Sequence, residues 1–151
     1  MKWITRERPK IDRIACPWLV DRFVDKAPEF LYVPEADVVR VASETGALPY
    51  DVPGAELGHH GEDCSFDAFI EKYRLDDPAL AKLALIVRVA DCGHPESAPE
   101  AAGLLALSRG LSLNFADDHE MLRHGIVVSD ALYTWCAGAQ LSSGAGPKAL
   151  V

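Results

Sequence analysis

A chain of 151 residues, 49% hydrophobic and 25% charged, has the length and composition of one globular domain and excludes a disordered or fibrous protein. With 23 acidic against 15 basic side chains, its net charge of −8 opposes phosphate backbones and anionic membrane surfaces, so nucleic acid is not an expected partner of this chain alone. The longest apolar run, Leu83 to Val87, is far below the ~20 residues of a membrane span, and the charged start MKWITRERPK is unlike a signal peptide; the expectation is no membrane and a cytoplasmic location.

Lys2 to Thr5 reads as a short strand, followed by the polar turn RERPK. Asp12 is placed to cap a helix running to about Asp25, with Ile14, Trp18, Leu19, Val20 and Phe23 along its buried stripe. Pro17 lies one turn in, which either strains the first turn or moves the start to Cys16. Phe30 to Val33 is a strand by its aromatic and β-branched content. Pro34 opens a helix through Ser43, and Gly46 terminates it. Leu48 to Val52 is a further strand, which Pro49 assigns to a sheet edge.

After the polar stretch ELGHHGEDCSFD, a helix from Phe66 to Tyr73 is capped by Ser65 or Asp63. The next is capped by Asp76 or Asp77, carries Pro78 in its first turn and ends near Asp91; CGHPESAP is a loop. Three helices follow: Pro99 to Arg109, stopped by Gly110; Leu111 to about Arg123, stopped by Gly125; and Val127 to Ala139. Residues 141–151 read as a flexible tail on a domain of residues 6–140. The fold class is α+β, a helix-rich single domain of six or seven helices with a few short strands in the first third.

The densest polar constellation runs from Gly58 to Asp67. His59 and His60 lie between glycines, offering transition-metal ligands beside bare backbone. Cys64 falls at a helix start, where the positive end of the dipole lowers a thiol pKa and makes it a candidate catalytic group. The same stretch also reads as a plain loop with capping residues, since its spacing is not that of a zinc finger.

The second constellation is Asp117-Asp118-His119-Glu120. Phe115, Asp118, His119 and Leu122 share one helical face. If that face is buried, Asp118 and His119 must be paired, hydrogen-bonded or metal-bound; rotated outward, they form a solvated acidic patch. A three-ligand metal site then takes His60, Asp118 and His119, with His59 or Glu120 as substitutes. Glu120 lies about 100° round the helix from His119 and cannot aim at the same ion; with Cys64 it is the other candidate catalytic residue. A mixed nitrogen and oxygen set suits a divalent transition metal, iron, manganese or zinc.

Arg6, Arg8, Lys10 and Arg13 are a basic cluster on an acidic chain. Beside a helix start, Arg13 is the candidate substrate-binding residue for an oxyanion, against the plain reading of a solvated patch. Tyr133 and Trp135 read as core packing, and Asp130 as the partner of an arginine. Cys16, Cys64, Cys92 and Cys136 are far apart without a CxxC pair, so they are free thiols or ligands; Cys92 and Cys136 read as structural, with Cys92-Gly93-His94 an opportunistic metal set. There is no phosphate loop, GxSxG elbow or HExxH pair.

The stretches RPKIDRIACPWLVDRF, ELGHHGEDCSFDAF, FADDHEML and DALYTW, in this order between about Arg6 and Trp135, resemble the C-terminal module of ChrB-type chromate resistance proteins. The resemblance implies a role in chromate resistance, through sensing chromate, regulating a chromate efflux operon or handling chromium chemically. Longer members of that family carry an N-terminal domain, and some relatives are fused to a rhodanese-like domain. Asp12, Arg13, Cys16, His59, His60, Cys64, Asp118, His119 and Glu120 all fall in the matching stretches. Three functions stay open: a domain binding a metal ion, an oxyanion such as chromate or both, with or without redox chemistry; a non-catalytic chromate or metal sensor or regulatory module; and a thiol enzyme linked to sulfur transfer. The expected partner is a small inorganic anion, and a homodimer is compatible with the sequence.

Overall fold

The computed structural model describes residues 1–93 and 97–138; His94, Ala139 and the tail expected at 141–151 lie outside the described residues. Three parallel strands, β1 (Lys2–Arg6), β2 (Glu29–Val33) and β3 (Leu48–Pro49), form one sheet in the order β2-β1-β3. Central β1 is the most enclosed, with Trp3, Ile4 and Thr5 fully buried. Pro49 sits on an edge strand, where its missing N–H breaks no ladder.

Parallel neighbours need crossovers, and helices supply them. The link from β1 to β2 is α1 (Asp12–Leu19), which continues as a π-helical stretch over Val20–Val24. Pro17 lies in the interior of α1, which starts at Asp12 after all, and the helical register widens just beyond the proline. A 3-10 turn (Glu35–Asp37) and α2 (Val38–Thr45) join β2 to β3, and Gly46 closes α2 at φ 71°. Side chains alternate across the sheet. Ile4 meets Val38, Ala47 and Val52 on the α2 side, whereas Trp3 joins the main core with Trp18, Leu19, Phe66 and Phe69.

The rest is helical: α3 (Ser65–Tyr73), α4 (Pro78–Cys92), α5 (Glu100–Asn114) and α6 (Asp118–Cys136). The architecture is therefore α+β, with six α-helices and strands confined to the first third. Asp77 caps α4 by accepting from Ala79 N at 2.7 Å and Leu80 N at 3.3 Å, with Pro78 at the first helical position. None of the described helices is long and apolar enough to cross a membrane.

Two glycines expected to stop helices do not. α5 runs through Gly110, and α6 runs through Gly125. The break falls between them at Phe115–Asp117, where Asp117 accepts from Glu120 N at 2.7 Å and starts α6. A mid-helix glycine costs only about 1 kcal/mol, which packing overrides. At Gly125 the reason is contact: a Cβ there would come within 2.4 Å of Ile14 Cγ2, so the missing side chain lets α6 lie directly on α1. Ile14 is buried and stiff about χ1, so it cannot swing away. Gly125→Ala is expected to destabilise the protein by about 1–2 kcal/mol, overpacking outweighing the helix-propensity gain. Urea denaturation measures it, and a more stable variant would show that α1 and α6 are not in such close apposition.

Trp18 sits at the centre of the helical core. Phe66 stacks on it at 6.4 Å, while Phe23 and Tyr133 meet it at 5.6 and 5.4 Å. Its Nε1 donates to Asp130 Oδ1 at 2.6 Å, and Arg22 Nε and Nη2 donate to the same carboxylate at 3.0 and 2.9 Å, the arginine partner expected for Asp130. Trp135 departs from expectation: it is 49% exposed, with Lys82 Nζ 3.9 Å from its ring centroid, and only Tyr133 of that pair is packed in the core.

Candidate functional site

The carboxyl ends of parallel strands, where crossover helices begin, are where α/β sheets bind ligands. Here β1 ends at Arg6, the chain leaves β3 into Tyr50 and Asp51, and α1 opens with Asp12 and Arg13. Three residues beside this point hold strained backbones: Arg8 at φ 55° in the link from β1, Ile11 at φ 38° immediately before α1, and Asp51 at φ 49°. A β-branched residue at positive φ is rare and costly, and such strain gathers where side chains are aimed for function. Ser108 Oγ holds Ile11 N at 2.9 Å.

The imidazole of His59 is brought in by the turn after β3. Asp51 N donates to Leu57 O at 2.9 Å, and Tyr50 bridges to Leu57. Gly58 follows, with its Cα so near the backbone that a Cβ would meet Ala55 O at 3.0 Å and Val52 O at 3.1 Å. His59 Nε2 then lies 3.2 Å from Asp51 Oδ1, 3.3 Å from Asp91 Oδ2 and 3.5 Å from Asp12 Oδ2. Asp91 comes from the last turn of α4, and Cys92 beside it places Sγ 3.7 Å from His59 Nδ1. Asp91 therefore stands at the negative end of a helix dipole, an unfavourable place for a carboxylate.

One nitrogen cannot satisfy three carboxylates, because it carries at most one proton. The Asp12 side chain is only 1% exposed, and its Oδ1 has no hydrogen-bond partner. Burial, then the charges of Asp91 and Asp51, hold its carboxyl well above the usual carboxylate range. Burial and Asp51 push Asp91 up as well. The N-terminus of α3 fixes two of the three: Ser65 N donates to Asp12 Oδ2 and Ser65 Oγ to Asp51 Oδ1, both at 2.8 Å. On the far side of Asp51, Oδ2 meets Arg13 Nε at 3.2 Å and Arg6 Nη2 at 3.4 Å. A surface cleft of about 200 Å3 lined by Arg6, Asp51, Val52, Pro53, Gly54 and His59 opens onto the cluster. Two overlapping triads share the imidazole, Asp12 with Asp51 and His59, and His59 with Asp91 and Cys92, the ligand atoms of each lying within 4.8 Å of one another. With a buried carboxyl short of partners, the first is a set that suits a divalent cation.

The residues expected from the sequence are distributed differently. Arg13 and His59 are in the cluster. His60 points away, its Nε2 2.8 Å from Glu56 O. Asp118 receives Arg8 N at 3.0 Å and pairs with Arg8 Nη1 at 3.5 Å, while exposed His119 lays its ring edge on Tyr32. Glu120 is exposed on α6. Among the described residues, His60, Asp118 and His119 do not come together as a ligand group. Arg8 is taken up by the end of α5 and the link after it, where the carbonyls of Ser112, Phe115 and Ala116 accept from it.

Cys64, not Ser65 or Asp63, stands at the N-cap of α3, with Asp67 Oδ2 accepting its N–H at 3.0 Å and its thiol at 3.3 Å. The helix-dipole expectation for this thiol is overturned, since burial, then the Asp12 charge, raise it far above an ordinary cysteine. Cys16 is likewise buried and raised. The residues that sequence reasoning passed over are Asp51 and Asp91, and it read Asp12 as a cap. Asp51 sits in a Pro-Gly turn and Asp91 at a helix end, positions where aspartate is ordinary.

Comparison with known proteins places this site in context. The model of the ChrB C-terminal domain matches residues 3–136. Protein ChrB of Cupriavidus metallidurans is 35% identical over 134 residues, covering 88% of this chain and 40% of the relative. The chain thus spans well under half the length of that relative. No solved structure matches.

Proposed function

The chain belongs to the ChrB C-terminal domain family, which is tied to chromate resistance, and from that premise we propose that it is a metal-dependent oxyanion-binding domain. Asp12, Asp51, Asp91 and His59 would hold one divalent cation, and Arg6 and Arg13 would draw a small dianion such as chromate to its side. The observation that carries the reading is the convergence of three carboxylates on His59 Nε2 within 3.5 Å, one of them buried and short of a partner. Oxygen-rich sets with one imidazole favour manganese or iron over softer ions. When bound, such a cation supplies Lewis acidity and charge to hold an anion.

The electrostatics support an order of binding. Without a cation, Asp51 engages both guanidiniums. A cation that takes over the Asp51 charge leaves Arg6 and Arg13 free to pair with an anion, so metal binding should precede and strengthen anion binding. Thiol chemistry is the weaker reading, because Cys16 and Cys64 are buried with raised thiols and exposed Cys92 is pushed up to about 11 by burial and Asp91. The nucleophile is the thiolate, which these environments disfavour.

Metal analysis of protein purified without chelator tests the proposal, followed by calorimetric titration with Mn2+, Fe2+ and Zn2+. About one equivalent per chain is expected, with sulfate or molybdate binding at least ten-fold tighter to the loaded form, the size of a typical coupling. Less than a tenth of an equivalent, with no titratable heat from any of the three ions, would sink it.

A further inference from the structure

Beside the carboxylate cluster, three hydroxyl groups stand in a row across the sheet. Thr5 of β1 is the register partner of Tyr32 of β2. Tyr50 follows Pro49, the partner of Ile4, and donates its N–H to Ile4 O at 3.0 Å, which sets it next to Thr5 on the other side. Side chains two positions apart share a face. Thr5, Tyr32 and Tyr50 therefore extend the row Trp3, Phe30 and Leu48, which packs in or against the main core. One step toward the strand ends, the apolar row turns into a hydroxyl row.

None of these three hydroxyls has a hydrogen-bond partner, although Thr5 is fully buried and Tyr50 is 1% exposed. The Tyr32 and Tyr50 hydroxyls interact with each other, outside well-formed hydrogen-bond geometry. Arg13 faces Tyr50 from α1 with its Nε 3.2 Å from Asp51 Oδ2, an ion pair without good hydrogen-bond geometry, and Arg6 Nε makes no hydrogen bond. The three hydroxyls and Arg6 Nε thus lack well-formed partners in one region, beside two carboxylate oxygens that also lack a hydrogen bond, Asp12 Oδ1 and Asp118 Oδ1, the latter 3.5 Å from Arg8 Nη1. Buried donors without acceptors are destabilising, and native proteins keep few of them. A donor-rich array of this kind fits a ligand that is all acceptor.

We propose that Thr5, Tyr32 and Tyr50, with Arg6 and Arg13, form the seat of a tetrahedral oxyanion directly behind the carboxylate–histidine cluster. The inference deepens the metal-dependent reading by naming the groups that hold the anion's oxygens. Asp51 links the two halves: it follows Tyr50 in the chain, contacts both arginines and faces His59. Arg6, one of the proposed donors, also lines the surface cleft beside His59. The two guanidiniums are donor-only and carry fixed positive charge, so a dianion is the class of ligand expected.

Tyr32→Phe and Tyr50→Phe test this without changing shape. In the manganese-loaded protein, titrated calorimetrically with sodium molybdate as a redox-inert tetrahedral dianion, each variant should bind about ten-fold or more weakly than wild type. Manganese affinity should stay within two- to three-fold, and the ligand-free variants should melt at or above the wild-type temperature. Unchanged molybdate affinity in both variants overturns the proposal, as does a wild-type protein that binds manganese but neither molybdate nor sulfate. A variant that melts well below wild type in the absence of ligand also overturns it, assigning the hydroxyls to a structural network. Should manganese itself fail to bind, the metal reading falls and the row is judged by the same molybdate titration on the metal-free protein.

Discussion

Replacing Asp12 by asparagine is expected to leave the metal-free protein at least as stable while lowering its affinity for a divalent cation by a hundred-fold or more, the upper end of what lesser changes around metal ligands cost. The two effects have one cause. The Asp12 carboxyl is buried against two other carboxylates, which disfavours its charged form. An asparagine keeps an oxygen that can accept the Ser65 N–H, so the junction between α1 and α3 survives. What disappears is the charge that a cation needs. At a cation concentration one hundred times the dissociation constant, wild type should gain about 2.7 kcal/mol, and the variant almost nothing. Thermal denaturation with and without Mn2+ reads both effects at once. A variant that melts well below wild type without metal, or one that keeps the full metal-dependent shift, contradicts the assignment.

The other large effect lies in the core. Trp18→Ala should cost about 3–5 kcal/mol, because it empties the space between Phe23, Phe66 and Tyr133. It also strips Asp130 of the indole donor, leaving only Arg22 from outside its own helix. Against a total stability of about 5–15 kcal/mol for a typical domain, this brings the variant to the edge of unfolding. Trp18→Phe retains most of the ring contacts and should cost about 1–2 kcal/mol, chiefly the lost hydrogen bond. Urea midpoints for the pair separate packing from hydrogen bonding, and a loss below about 1 kcal/mol for the alanine variant would mean that the cluster is not what holds α1 to α6.

Much of the fold could be read from local chemistry. Asp76 or Asp77 with Pro78 marked the start of α4, Gly46 marked the end of α2, Pro49 marked an edge strand, and Asp130 found its arginine. These are signals in which one residue's backbone or charge decides the outcome. The misreadings at Gly110 and Gly125 came from the same kind of signal, a weak local preference, and at Gly125 a contact 111 positions away in sequence, with Ile14, outweighed it.

The site was much less legible, for a physical reason. Its residues come one each from a helix start, a strand exit, a turn and a helix end. Each aspartate is ordinary where it stands, and only the closing of the sheet brings them together. The two histidines look alike in sequence, yet the close backbone approach at Gly58 turns His59 inward, whereas His60 bonds to Glu56 O. Asp118 and His119 lay on the expected helix, but Arg8 reached the carboxylate first.

The bare backbone of Gly125 has a reach beyond its own helix. Ile14, the side chain it admits, is half a turn past Asp12, so the depth at which α1 beds down also sets the aim of the buried carboxyl. A methyl group at position 125 would act as a shim under that helix. Its effect would be felt at the mouth of the cleft as much as in the melting curve, and latitude at this position is limited twice, once by fit and once by alignment.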